Sequence, residues 1–108
     1  MAFYVAGSGT QTVVLNTEHT VFYTTTAGVY LYALDTKNLV GGDIVTLRLR
    51  TRLISGGTDA VSYYAMYAHT QTSALQFSIP LPVAVSVSAT IQQTAGTARA
   101  YDYSVYNL

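Results

Sequence analysis

The chain has 108 residues, room for one domain with a real core but not for two. Half of the residues are hydrophobic and 9% are charged, where a soluble domain usually has roughly a quarter charged; the formal net charge is zero. That balance argues against a phosphate track for nucleic acid, and the lack of cysteine excludes disulfides, thiolate metal sites and a cysteine nucleophile. With little repulsion between copies, such a chain favours covering its surface, by oligomerisation or by incorporation into a larger assembly.

The N-terminus, Met1-Ala2-Phe3-Tyr4-Val5, has neither the basic nor the long apolar region of a signal peptide, and about residues 1–10 are expected to form a short arm. Gly7-Ser8-Gly9 reads as a turn. Strands are then expected over Thr12–Asn16, Thr20–Thr26 and Val29–Leu34, where β-branched and aromatic residues dominate. Asp35-Thr36-Lys37-Asn38-Leu39 is expected to form a single helical turn with Asp35 as its N-cap, before Gly41-Gly42-Asp43 reopens a strand.

The clearest strand follows. Val45, Leu47, Leu49 and Leu53 point one way, while Thr46, Arg48, Arg50 and Arg52 point the other. Ser55-Gly56-Gly57 marks the next turn, and Ala60–Ala68 and Leu75–Ile79 read as strands. Pro80 and Pro82 flank Leu81 and predict an extended bend or an edge, because proline cannot donate to a central ladder. Alternation over Val83–Ile91, a turn at Ala95-Gly96, and alternation of Tyr101, Tyr103 and Val105 with Ala100, Asp102 and Ser104 complete about eight strands. No membrane helix, linker or internal repeat is expected. The fold class is all-β: one domain, 1–108, built as an antiparallel sandwich or a barrel.

Two features stand out as working surfaces. Arg48, Arg50 and Arg52 hold three of the five basic residues on one strand face. They suit carboxylates on a partner, or else form a solvated outer face neutralised by Asp59 or Asp102. The ten tyrosines are the second feature, since tyrosine joins an apolar body to a polar tip and suits a wet interface. Tyr63 and Tyr67 lie on one face of their strand and Tyr64 and Met66 on the other; Tyr30 and Tyr32 likewise oppose Val29 and Leu31. A sandwich buries one face of each sheet, so the other face of these strands is expected to meet another chain. The interface residues are therefore expected to be Tyr30, Tyr32, Arg48, Arg50, Arg52, Tyr63, Tyr64, Met66 and Tyr67.

Chemistry is poorly represented. Glu18, His19 and His69 are too few for a metal site, the five acids are scattered, and Gly7-Ser8-Gly9 fits neither a nucleophile elbow nor a phosphate loop. No enzymatic activity, catalytic residue, cofactor, metal, small-molecule ligand, nucleic acid or membrane partner is expected.

Three stretches carry a family resemblance: Gly28–Asp35, an aromatic strand ending in Asp; Leu39–Arg48, with Gly41-Gly42-Asp43 before the arginine-bearing strand; and Gln92–Tyr103, with Gln93-Thr94-Ala95-Gly96-Thr97-Ala98-Arg99 before an aromatic strand. Together the chain resembles the small jelly-roll decoration (cement) proteins of tailed bacteriophages, over roughly residues 20–106. The resemblance implies a jelly-roll sandwich made in the host cytoplasm and bound to the outside of a virion. Its partner would be the major capsid protein, and it would assemble as a homo-oligomer, a trimer in preference. The other reading is a receptor- or carbohydrate-binding sandwich module of a phage tail or fibre.

Overall fold

A computed structural model describes residues 3–108. Among them run nine strands: β1 (Tyr4–Thr12), β2 (His19–Thr24), β3 (Gly28–Asp35), β4 (Ile44–Arg52), β5 (Ala60–Ala68), β6 (Leu75–Phe77), β7 (Leu81–Val83), β8 (Ser86–Ala95) and β9 (Ala100–Asn107). Sheet I has the order β1-β9-β3-β6, with β7 also on β3; sheet II has the order β2-β8-β4-β5. Every pairing is antiparallel. The first and last strands lie side by side in one sheet and the second and eighth in the other, which is the wrapping of a jelly roll.

The count of nine against the expected eight comes from one broken strand. β6 pairs with the C-terminal end of β3 through Ala33↔Phe77, and β7 with its N-terminal end through Tyr30↔Leu81. Between them, Ile79-Pro80 leaves the ladder. Ser78 bridges the gap: its N–H donates to Tyr32 O at 2.8 Å, and its hydroxyl accepts from Tyr32 N–H at 2.8 Å. The edge expected around Pro80 and Pro82 is therefore present; the expected strand Leu75–Ile79 ends early, at Phe77, and the expected strand Val83–Ile91 is divided at Ala84-Val85, where the chain passes from sheet I to sheet II.

Alternation fills the core. Val45, Leu47, Leu49, Val87, Ala89 and Ile91 from sheet II meet Tyr30, Tyr32, Leu34, Tyr101 and Val105 from sheet I. Leu53 lies past the end of β4 and is 87% exposed, so it does not continue the row of Val45, Leu47 and Leu49.

Three local expectations are corrected. The expected arm is strand β1, paired with β9 from Tyr4↔Asn107 to Thr12↔Ala100, so the expected strand Thr12–Asn16 is instead the end of β1 and a turn. Gly7-Ser8-Gly9 lies inside β1. A Cβ at Gly7 would stand 2.7 Å from the Phe22 ring, so glycine here allows close approach of β2 and is not a turn signal. Asp35–Leu39 forms no helix. Asp35 Oδ1 accepts from Lys37 N–H at 2.9 Å and Leu39 N–H donates to Thr36 O at 2.9 Å: the cap chemistry is present on a tight turn.

Candidate interaction surfaces

The outer face of sheet II carries the arginines. Arg48, Arg50 and Arg52 stand opposite Thr90, Ser88 and Ser86 of β8, so all three project from the same side. Glu18, just before β2, enters this row: its Oε2 accepts from Arg50 Nη1 and from the Thr90 hydroxyl and lies 3.7 Å from Arg48 Nη1. Arg48 also donates to Gln92 Oε1 at 3.0 Å and lies 5.5 Å from the centre of the Tyr64 ring. Arg52 Nε meets Asp59 Oδ1 at 3.2 Å. Each guanidinium thus has a carboxylate within its own chain. Asp59 is the neutralising acid expected; Asp102 is on sheet I, 3.3 Å from Lys37, and Glu18 takes its place. Burial alone would raise the Glu18 pKa, but hydrogen bonds from Arg50 and Thr90 and the charges of both arginines hold it below the ordinary value.

The tyrosines divide in a way that corrects the expected interface. Tyr30 and Tyr32 are 1% and 0% exposed and belong to the core. Their polar tips are satisfied inside the molecule, Tyr30 donating to Thr26 O at 2.8 Å and Tyr32 to Thr90 O at 3.3 Å. A buried tyrosine with a partner costs little, so their pattern carried no interface information. Tyr63 and Tyr67 also point inward and pack, half-buried, against the core. Tyr64 and Met66 point outward and are 54% and 56% exposed. Of the nine expected residues, Arg48, Arg50, Arg52, Tyr64 and Met66 share one outer face; Tyr30, Tyr32, Tyr63 and Tyr67 do not.

The surface that sequence reasoning missed is the outer face of sheet I. The register Val5↔Tyr106↔Leu31 runs an apolar row across β1, β9 and β3, and Ala33↔Phe77 extends it to β6. Phe3 packs edge-on against Tyr106 with ring centres 5.4 Å apart. Phe3, Leu31, Phe77, Tyr106 and Leu108 line a shallow concavity of about 280 Å³. Phe3 is 61% and Phe77 54% exposed. The other end of this face is polar: the Thr10 hydroxyl donates to Asp102 Oδ1 at 2.6 Å, beside the Lys37–Asp102 pair. The alternation of β3 does mark Val29 and Leu31 as a second face. Phe3, Phe77 and Leu108 join it only through the topology.

At one end of the sandwich Asp43 ties loops together. It is 1% exposed, and its carboxylate accepts from Arg99 Nε at 2.7 Å, Thr97 N–H at 3.1 Å and Val40 N–H at 3.1 Å. With both oxygens engaged by its own chain, it acts as a structural clasp. Among the described residues no group of three or more His, Cys, Asp or Glu side chains is placed to hold a metal ion.

These elements define a jelly-roll sandwich with one charge-paired outer face and one that is apolar at one end and polar at the other. No protein-family model matches the chain, no curated protein matches it, and no solved structure matches it.

Proposed function

We propose that the protein is a virion structural protein of the capsid-decoration type, which binds the outer surface of a shell and stabilises it by packing. The observation that supports this reading is the contiguous apolar end of sheet I, where Phe3, Val5, Leu31, Phe77, Tyr106 and Leu108 face outward beside a polar rim. Patches of this kind, apolar at the centre and polar at the margin, mark protein contacts. Aromatic anchors such as Phe77 and Tyr106 carry most of the energy at such contacts. The major capsid protein is the proposed partner. A modest contact repeated over a symmetric lattice adds stability to the whole shell without any catalysis.

Phe77→Glu tests this directly. Phe77 is half exposed on a three-residue edge strand, so the variant is expected to fold. Added to purified particles stripped of the protein, the wild type should rebind and protect them against heat; F77E should do neither. Equal rebinding by both would move the contact elsewhere. Reproducible hits for the wild type on a glycan array, with no affinity for particles, would favour the tail or fibre module instead.

A further inference from the structure

The four sheet edges of this fold are not alike. The β6/β7 edge is short and blunted by Pro80 and Pro82. β2 has six residues and a register break between Thr20 and Phe22; β1 has nine, with a break between Val5 and Gly7, and its Gly7 and Gly9 bring no side chain to a partner strand. β5 ends sheet II with nine residues, Ala60–Ala68, none of them charged and none proline; its one register break, where Leu49↔Tyr63 steps to Arg50↔Val61, lies at Ser62 and leaves Tyr63–Ala68 regularly paired. Natural edges are normally protected by charge, proline or brevity, and an unprotected one offers its free N–H and C=O groups to another strand.

We infer that β5 pairs antiparallel with β5 of a second copy across a two-fold axis at Ala65, joining the two four-stranded sheets into one. The case rests on the self-complementarity of the segment. An isologous contact requires that residue i meet residue j and residue j meet residue i. With Ala65 on the axis, the smallest side chain of the stretch meets itself. Tyr63 then faces Tyr67 of the partner subunit on the core side, and Tyr64 faces Met66 of the partner subunit on the outer side. These are aromatic–aromatic and aromatic–sulfur pairs, both favourable across strands. Tyr63, Ala65 and Tyr67 are only half-buried in the single chain, so the seam would cover what the fold leaves open. Charge does not oppose it: the two arginine rows would stand three strand spacings, about 14 Å, apart, beyond the screening length of about 8 Å in physiological salt. The pairing yields a dimer in place of the trimer that the resemblance implies, and it does not depend on what the apolar end of sheet I binds.

Sedimentation equilibrium across a concentration series tests it. The wild type should reach twice the single-chain mass of 11.6 kDa. Tyr64 and Met66 both point to solvent, so charging them spares the core. In Tyr64→Glu/Met66→Glu the carboxylates at 64 and 66 oppose each other twice across the axis, and the protein should sediment as one chain with an unchanged circular dichroism spectrum. In Tyr64→Glu/Met66→Lys the same register places opposite charges together, and the two-chain mass should return. A second readout needs no variant: amide exchange along Ala60–Ala68 in the wild type should slow as concentration rises. A wild type of single-chain mass throughout, or exchange independent of concentration, overturns the pairing. A dimeric Tyr64→Glu/Met66→Glu or a monomeric Tyr64→Glu/Met66→Lys overturns the register.

Discussion

Asp43 and Gly96 illustrate how single residues fix the ends of this sandwich. Burial opposes the charge of Asp43, but Arg99 and the N–H groups of Val40 and Thr97 outweigh it, and its pKa lies below the ordinary value. A lowered folded-state pKa contributes stability that is fully present above the unfolded value and is lost as pH falls through the folded one. Glu18 has the same sign. Stability should therefore be flat near neutrality and fall below about pH 4, where carboxylates titrate. Asp43→Asn should cost about 2 kcal/mol at pH 7, by leaving Arg99 underpaired, and should flatten the acid limb; urea titrations across pH measure both. Gly96 has φ +84, and a Cβ there would fall on the Asp43 carboxylate. Gly96→Ala should cost about 3 kcal/mol through left-handed strain and loss of the clasp, read as a lowered melting temperature. The sequence marked Ala95-Gly96 as a turn, but nothing in it linked Asp43 to residues more than fifty positions away. Tyr101 is another buried member of this end: burial first, and then the nearby Asp43 charge, pushes its hydroxyl up to about 12.

At the scale of elements, period-two alternation marked β4, β9 and most of β8, while β3 and β5 were marked by their β-branched and aromatic content. It failed where glycine or proline did something other than end a strand. Gly7 sits within β1 to admit the Phe22 ring, and Pro80 interrupts one strand without ending the sheet. The cost of that interruption is met by Ser78, whose hydroxyl and amide together replace a ladder residue opposite Tyr32. Ser78→Ala should strand the buried Tyr32 N–H and cost about 1–2 kcal/mol, with faster exchange at that amide as the local signature. The arginine row behaves differently. Its pairs with Glu18 and Asp59 are 20% to 37% exposed, so Glu18→Gln should cost under about 1 kcal/mol in a chemical melt. The arginines were legible in the sequence as a row, but their partner Glu18 was not, since it arrives from a loop across β8.

Across the whole molecule, jelly-roll wrapping separates two kinds of outer surface that look alike in the linear sequence. Tyrosine-rich strands suggested interface, yet Tyr30, Tyr32 and Tyr101 are core, with their hydroxyls bonded internally. Sandwich topology instead assembles an apolar end from Phe3, Leu31, Phe77, Tyr106 and Leu108, contributed by both termini and two inner segments. No local window contains that surface, which is why composition pointed to packing against a partner without locating where. On the proposed reading this end seats on a shell, one copy per equivalent lattice position. Quantitative mass spectrometry of density-gradient-purified particles tests that claim most directly. The account predicts that the protein bands with intact particles at a fixed copy number relative to the shell protein, unchanged by further purification. A protein that stays at the top of the gradient, or whose ratio to the shell protein drifts toward zero on repurification, would contradict it.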